Sequence, residues 1–119
     1  MAKNYENLEA WKDSVSLAVL IYKETKNFPK GEFYGLTSQL RRAVVSISTN
    51  IAEGAGRASK TEFTRFINIA LGSLNEVENL TYISKELGYL KEEKFSLIKK
   101  QIKKLGNLIG GLKRYLSKQ

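Results

Sequence analysis

The sequence contains no cysteine and no histidine among its 119 residues. The absence of cysteine excludes disulfides, thiolate metal sites and thiol nucleophiles, and it is what a reducing cytoplasm permits. The absence of histidine removes the commonest general base and metal ligand, and with them the Ser-His nucleophile pair. Carboxylate-bridged di-iron bundles also require histidines, in Glu-x-x-His motifs. We therefore expect a protein that is not an enzyme, with no catalytic residue, no metal and no cofactor.

Long apolar runs are also missing. No window approaches the roughly 18 uninterrupted apolar residues of a membrane-spanning helix. Residues 1–9 lack the basic start and apolar run of a secretory signal. We expect a soluble, cytoplasmic protein with no membrane partner. The length predicts a single domain over residues 1–119.

Positive charge is abundant and unevenly placed. The net charge at pH 7 is +8, from 20 Lys and Arg residues against 12 Asp and Glu. Residues 91–119 hold nine basic residues and two acidic ones, a net charge of +7, which leaves +1 for residues 1–90. The basic character therefore belongs to the last quarter of the chain.

Apolar spacing and helix-terminating residues predict four helices. The only proline, Pro29, marks the first loop. Gly54 and Gly56 are expected to adopt the left-handed conformation that ends a helix. Ser59 and Glu62 have the spacing of a capping box at the start of the third helix. The predicted helices cover residues 7–27, 36–54, 59–87 and 91–117.

The first helix has more apolar surface than one buried face requires. Asn7 is its expected N-cap. The stripe expected to face the core is Leu8, Trp11, Val15, Ala18, Val19 and Tyr22. Ala10, Leu17 and Ile21 add apolar surface at one flank, which indicates a second contact such as a neighbouring subunit.

The other three helices each have one predicted inward face. In the second it is Leu40, Ala43, Val44, Ile47 and Ile51. In the third it is Phe63, Phe66, Ile67, Ala70, Leu74, Val77 and Leu80 or Thr81. The fourth has an unbroken a/d seam of Phe95, Ile98, Ile102, Leu105, Ile109, Leu112 and Leu116. Gly106 and Gly110 lie one turn apart, which indicates either close approach of another backbone or a frayed end. Short connections between four such helices predict an all-α, antiparallel up-down-up-down four-helix bundle.

The seam of the fourth helix leaves its lysines on the outer side. Lys99, Lys100, Lys103 and Lys104 fall at positions e, f, b and c, with Lys113, Arg114 and Lys118 beyond them. Cations along such a ridge can follow a phosphate backbone and release its condensed counterions. The alternative is a solvated face whose cations are favourable near a helix C-terminus. A bilayer surface fits less well, because the apolar stripe is narrow and has no tryptophan.

The segment around the second and third helices has unusual polar content. Arg41 and Arg42 point about 100 degrees apart on a helix, so one is expected to pair with a carboxylate of a neighbouring helix and the other to be free for a partner. The polar corner that follows consists of Asn50, Glu53, Arg57, Ser59 and Glu62. Its simplest interpretation is structural, as caps and ion pairs that fix a helical hairpin. A small anion at the start of the third helix is the alternative.

Several strings resemble the signature of the 23S rRNA intervening-sequence family. They include Leu8-Glu9-Ala10-Trp11, Gln39-Leu40-Arg41-Arg42-Ala43 and Asn50-Ile51-Ala52-Glu53-Gly54. The resemblance covers nearly the whole chain and implies an antiparallel four-helix bundle assembled into a homopentameric ring with a central channel. A distant relative, the accessory protein of diversity-generating retroelements, binds nucleic acid and a reverse transcriptase through a basic surface. The resemblance thus implies a scaffold or a nucleic-acid-associated protein.

Two functional hypotheses follow. The leading one is a non-enzymatic, ring-forming bundle whose basic outer surface binds RNA or DNA through phosphate contacts. The expected contact residues are Arg41, Arg42, Lys99, Lys100, Lys103, Lys104, Lys113 and Arg114. The rival is an oligomeric protein-interaction scaffold with no nucleic-acid role, which docks a partner protein through the first helix or the corner around Glu53.

Overall fold

The computed structural model describes residues 4–118 and has an all-α fold with four α-helices. Residues 1–3 and 119 of the expected domain lie outside the described residues. The helices are α1 (Glu9–Thr25), α2 (Leu36–Ala55), α3 (Lys60–Glu86) and α4 (Glu92–Ser117), with short 3-10 turns at Asn4–Asn7 and Lys30–Glu32. The bounds of α2, α3 and α4 differ from the predicted ones by at most one residue. Helix α1 is two residues shorter at each end, and its N-cap is Leu8 in an extended conformation, so the expectation of an Asn7 cap is wrong.

The four helices form a rod of 46 × 22 × 22 Å, in which neighbouring helices run in opposite directions. On the α3–α4 side, Lys85 pairs with Glu92 at one end of the rod, and Lys60 lies over the Tyr115 ring at the other. On the α1–α4 side, Glu24 pairs with Lys94 and Asp13 pairs with Lys104. Contacts join α1 to α2, α2 to α3, α3 to α4 and α4 to α1, while no Cα atoms of the diagonal pairs come within 8 Å of each other among the described residues.

The inward faces of α2, α3 and α4 follow the predicted pattern closely. All five residues expected to be inward on α2 are buried, and so are Ile67, Ala70, Leu74 and Val77 of α3, while Phe63 and Phe66 are only half-buried. Leu80 and Thr81 are both buried. The α4 seam is buried except for Leu112, which is half-buried against the core. Periodicity alone therefore locates three of the four core faces.

Helix α1 buries a face shifted from the predicted one, and the predicted inward stripe is only partly right: Leu8, Trp11 and Ala18 are half-buried against the core. Its buried residues are Ala10, Ser14, Leu17, Ile21 and Thr25, whereas Val15, Val19 and Tyr22 are exposed. The reason lies in two hydroxyl side chains. Ser14 donates to the carbonyl of Trp11 and Thr25 to the carbonyl of Ile21, both at 2.7 Å. Because these bonds satisfy the hydroxyls within the helix, polar residues occupy core positions at little cost.

Two glycines shape the helix connections, although not as predicted. Gly54 lies inside α2, and Gly56 has a φ of −86°, so neither adopts the left-handed conformation. Instead, Gly54 allows close approach of α3: a Cβ there would lie 2.8 Å from the Cβ of Phe66 and 3.2 Å from the carbonyl oxygen of Phe63. The left-handed glycine is Gly88, with a φ of 82°, just after α3.

Candidate nucleic-acid interface

The outer face of α4 carries a ridge of exposed cations, defined here as Lys100, Lys103 and Arg114; Lys113 is also exposed but lies on the seam side of the helix at 100° per residue, so its predicted place on the outer side is wrong. Lys100, Lys103 and Arg114 lie opposite the buried seam because of the helical repeat, and Lys100 and Arg114 are about 21 Å apart along the axis at 1.5 Å per residue. Within residues 4–118 none of the three forms an ion pair. The ridge therefore presents its charge to solvent.

The Arg114 side chain lies beside two of the α4 glycines, at ordinary contact distance. Its guanidinium nitrogens would lie 3.5 Å from a Cβ at Gly110 and 3.7 Å from one at Gly111. A Cβ at Gly106 would lie 3.5 Å from the side chain of Leu74. No partner backbone comes close to these glycines within the described chain, and the helix continues to Ser117. The frayed-end interpretation is therefore wrong, while close approach of another backbone does not occur within residues 4–118 and stays a prediction for a neighbouring subunit.

Lys99 and Lys104 lie at the flanks of the ridge and have acidic partners. Lys99 donates to the Glu78 carboxylate of α3, and its ammonium lies 4.5 Å from the centre of the Tyr82 ring. The hydrogen bond to Glu78 raises the pKa of Lys99, a smaller effect of desolvation lowers it, and the interaction with Tyr82 adds a still smaller increase. Lys104 pairs with Asp13 of α1 at 3.4 Å, and its side chain is 70% exposed, against 25% for Lys99. Lys104 can thus exchange its partner for a phosphate more easily than Lys99.

Arg41 and Arg42 lie on a different surface, because α2 is diagonal to α4 in the bundle. The Arg41 guanidinium lies 4.6 Å from the centre of the Tyr22 ring, and its Nε donates to the Thr25 hydroxyl at 2.9 Å. The partner predicted for one of the two arginines was a carboxylate, and that prediction is wrong, since Arg41 is held by a ring and a hydroxyl. Arg42 is exposed and forms no ion pair within residues 4–118.

The chain also has basic residues beside Arg41 that sequence reasoning did not select. Lys26 and Lys30 line a cleft with Arg41 at the end of the bundle where α1 meets α2. The available signal was the Lys-Asn-Phe-Pro-Lys string around Pro29, which places two cations within five residues of a loop. The predicted contact residues therefore divide between two separate surfaces, the α4 ridge and the α1–α2 end.

The polar corner satisfies its own groups. Asn50 donates to the carbonyl of Ser46 at 2.8 Å, and Arg57 pairs with Glu53 at 3.2 Å. The Ser59 hydroxyl accepts from the backbone N–H of Glu62 at 3.1 Å, while the Glu62 carboxylate makes no return bond to Ser59 within the described chain. These contacts are local, within α2, between α2 and the turn that follows it, and at the cap of α3, which is a structural role.

Two classes of feature are not found in the part of the chain that the structure describes. Residues 4–118 contain no group of three or more acidic residues placed to hold a metal ion. None of their helices is long and apolar enough to cross a bilayer.

Comparison with known proteins identifies the family. The sequence model described as the 23S rRNA-intervening sequence protein matches residues 6–111. The chain belongs to this family. A crystal structure of a protein of unknown function from the S23 ribosomal protein family of Bacteroides thetaiotaomicron is similar, with a TM-score of 0.77 and 25% identity. That similarity covers 87% of this chain and 96% of the other. No curated protein matches this family member.

Proposed function

We propose that this protein is a non-enzymatic, cytoplasmic, basic bundle that binds RNA or DNA through phosphate contacts. The observation that supports this most directly is the α4 ridge, where the three cations Lys100, Lys103 and Arg114 are exposed and free of ion pairs within residues 4–118. A rigid helix anchored by its buried seam holds these charges along one line. Such a line suits a phosphate backbone better than a compact anion.

The energetics of this binding come mainly from counterion release. For duplex DNA the slope of log Kobs against log salt is about −0.9 for each phosphate neutralised. Because the contacts are made to phosphates, we expect little dependence on base sequence.

The test uses two triple variants of equal charge loss. In K100Q/K103Q/R114Q the ridge is neutralised, whereas K12Q/K23Q/R65Q removes the same charge from α1 and α3. Fluorescence anisotropy measures the affinity of each variant for labelled duplex DNA and for structured RNA at several salt concentrations. We expect the salt slope on duplex to become shallower by about 2.7 only in the ridge variant, as three lost contacts predict. No binding of wild type at about 100 μM protein in about 50 mM salt, or equal effects of both variants, would refute the proposal.

We also propose that the protein self-assembles into a ring, with the number five taken from the family resemblance. The support within this chain is the α1 stripe, defined as Val15, Val19 and Tyr22, which is exposed together with Val45 of α2. Single exposed apolar residues are ordinary, but a contiguous patch on one face marks an interaction surface. Assembly would repeat the α4 ridge around the ring, so that weak patches act together.

The same stripe supports a second candidate function. A scaffold that docks another protein would also use an exposed apolar face, and it would need no nucleic acid. Affinity capture from cell extract treated with nuclease distinguishes the two. A stoichiometric protein partner that is lost in a V19E variant favours the scaffold, while recovery of nucleic acid from untreated extract favours the leading proposal.

A further inference from the structure

The cleft at the α1–α2 end has the chemistry of a binding site for an anionic aromatic group. It has a volume of about 460 Å³, within the range of about 300–1,000 Å³ usual for ligand sites. Its walls come from the end of α1, the loop around Pro29 and the first turns of α2. Three cations, three aromatic rings and two threonine hydroxyls line it, and no carboxylate does.

The nearby carboxylates are occupied elsewhere, which leaves the cleft positive. Glu32 accepts from the backbone N–H of Leu36 and from the Tyr89 hydroxyl, both at 3.0 Å. Glu24 pairs with Lys94 of α4 at 3.6 Å. Lys26, Lys30 and Arg41 consequently have no acidic partner within residues 4–118. Arg41 is also fixed in place by Tyr22 and Thr25, so that part of the positive charge is preorganised.

Two aromatic rings at the mouth of the cleft are unusually exposed. Tyr34 is 92% exposed and Phe33 54%. They contact each other edge to face, with ring centres 4.8 Å apart and planes at 84°. In this geometry the ring faces are not stacked on each other. By contrast, Phe28 at the base of the same cleft is buried and packs against Tyr89.

We infer that this cleft binds an unstacked base of a single-stranded nucleic acid, with the adjoining phosphates on Lys26, Lys30 and Arg41. The inference rests on the proposed function and adds the form of nucleic acid that is preferred. Every base has a flat face that stacks on Tyr or Phe, and single strands can present that face while a duplex cannot. The protein should therefore prefer single strands, using the cleft for bases and the α4 ridge for backbone.

The test compares affinities for an unstructured single strand of about 20 nucleotides and for the duplex of the same sequence. The informative variants are Y34L, which keeps apolar surface but removes the aromatic face, and Y34F, which keeps the face. Y115L is the matched control, since Tyr115 is an exposed tyrosine at the opposite end of the bundle. We expect Y34L alone to weaken single-strand binding about tenfold, equivalent to about 1.4 kcal/mol at 25 °C, with duplex affinity unchanged. Fluorescence of 2-aminopurine in the strand should be quenched by wild type and Y34F, but not by Y34L.

The cations of the cleft give an independent measurement. K26Q/K30Q should make the salt slope for single strands shallower by about 1.4, at about 0.7 per phosphate contact, while K12Q/R65Q should not.

The outcomes separate this inference from the proposed function. If neither strand form binds, the proposed function fails and this inference with it. If both forms bind equally and Y34L behaves as wild type, the base-binding cleft is wrong while the phosphate-binding ridge stands. If Y34L changes the native mass of the protein instead of its single-strand affinity, the exposed ring belongs to a subunit contact and the inference is overturned.

Discussion

At the scale of single residues, Gly54 and Gly72 form a matched pair with opposite surroundings. A Cβ at Gly54 would lie 2.8 Å from Phe63 Cδ1 and from Phe66 Cβ, whereas nothing lies within 4 Å of one at Gly72. Because the Phe66 Cβ cannot move without α3, G54A should lower the free energy of unfolding by about 1–3 kcal/mol. G72A should raise it by about 0.5–1 kcal/mol through better helix propensity. Urea denaturation measures both, and equal effects would show that α2 and α3 are not this close.

The Lys99–Glu78 pair predicts a dependence of stability on pH. Its hydrogen bond raises the pKa of Lys99, so the pair stabilises the fold below the unfolded lysine pKa of about 10.4. This stabilisation is lost as the pH rises through the folded pKa. In E78Q the pKa of Lys99 should fall, and the stability difference from wild type should be present near neutral pH and shrink above the lysine pKa. E76Q is the control, because Glu76 is exposed and unpaired within residues 4–118. A Lys99 ¹³Cε titration unchanged by E78Q would contradict the pairing.

Buried hydroxyl side chains are hard to predict from a sequence pattern, and the reason is the same for each. Ser14 and Thr25 count as polar in any periodicity, yet their hydroxyls bond to carbonyls of their own helix and are buried. Thr81 and Ser84 of α3 are buried with the same kind of bond, but more apolar neighbours reveal that face, and Thr81 is among its predicted inward residues. Helix α1 has fewer such neighbours, so two hidden hydroxyls were enough to shift its predicted face.

At the scale of helices, α4 and α1 show what periodicity can and cannot predict. The α4 seam is apolar at every a and d position and lysine-rich elsewhere, so only one face can be buried. Helix α1 is apolar on two faces, and burial of one leaves the other outside. Which face is inside depends on the shapes of α2 and α4, which a single helix does not contain.

The exposed stripe of α1 yields a prediction about assembly. Val19 is 51% exposed, and a V19E variant should keep the fold because the side chain already faces solvent. We expect a surface change of this kind to alter stability by no more than about 0.5 kcal/mol. If the stripe is a subunit contact, V19E should reduce the native mass to that of smaller species. I69E is the control, with Ile69 similarly exposed on α3, the helix diagonal to α1.

Two results would contradict this use of the stripe. One is a wild-type mass for V19E in native mass spectrometry, and the other is a wild-type protein that is already monomeric. Circular dichroism on each variant confirms that any loss of mass does not come from unfolding.

At the scale of the whole molecule, charge placement is only partly a sequence property. The net charge of +7 in residues 91–119 locates the basic helix without any structure. The structure then assigns Lys99 and Lys104 to acidic partners on α3 and α1, and it places Arg41 and Arg42 on the helix diagonal to α4. Pairing across helices depends on register, which is why the basic residues expected to act together divide between two surfaces.

The link between assembly and binding gives the last prediction. If several copies of the α4 ridge contact one nucleic acid, the salt slope should reflect the assembly and not one subunit, and affinity should grow with the length of the strand. In V19E both effects should disappear, leaving a shallow slope and an affinity lower by about 10²-fold or more. The ridge variant K100Q/K103Q/R114Q should lose affinity while it keeps the wild-type mass. The two variants separate the charge of each copy from the number of copies. If V19E and wild type gave equal slopes of log Kobs against log salt on a long strand, each subunit would bind alone.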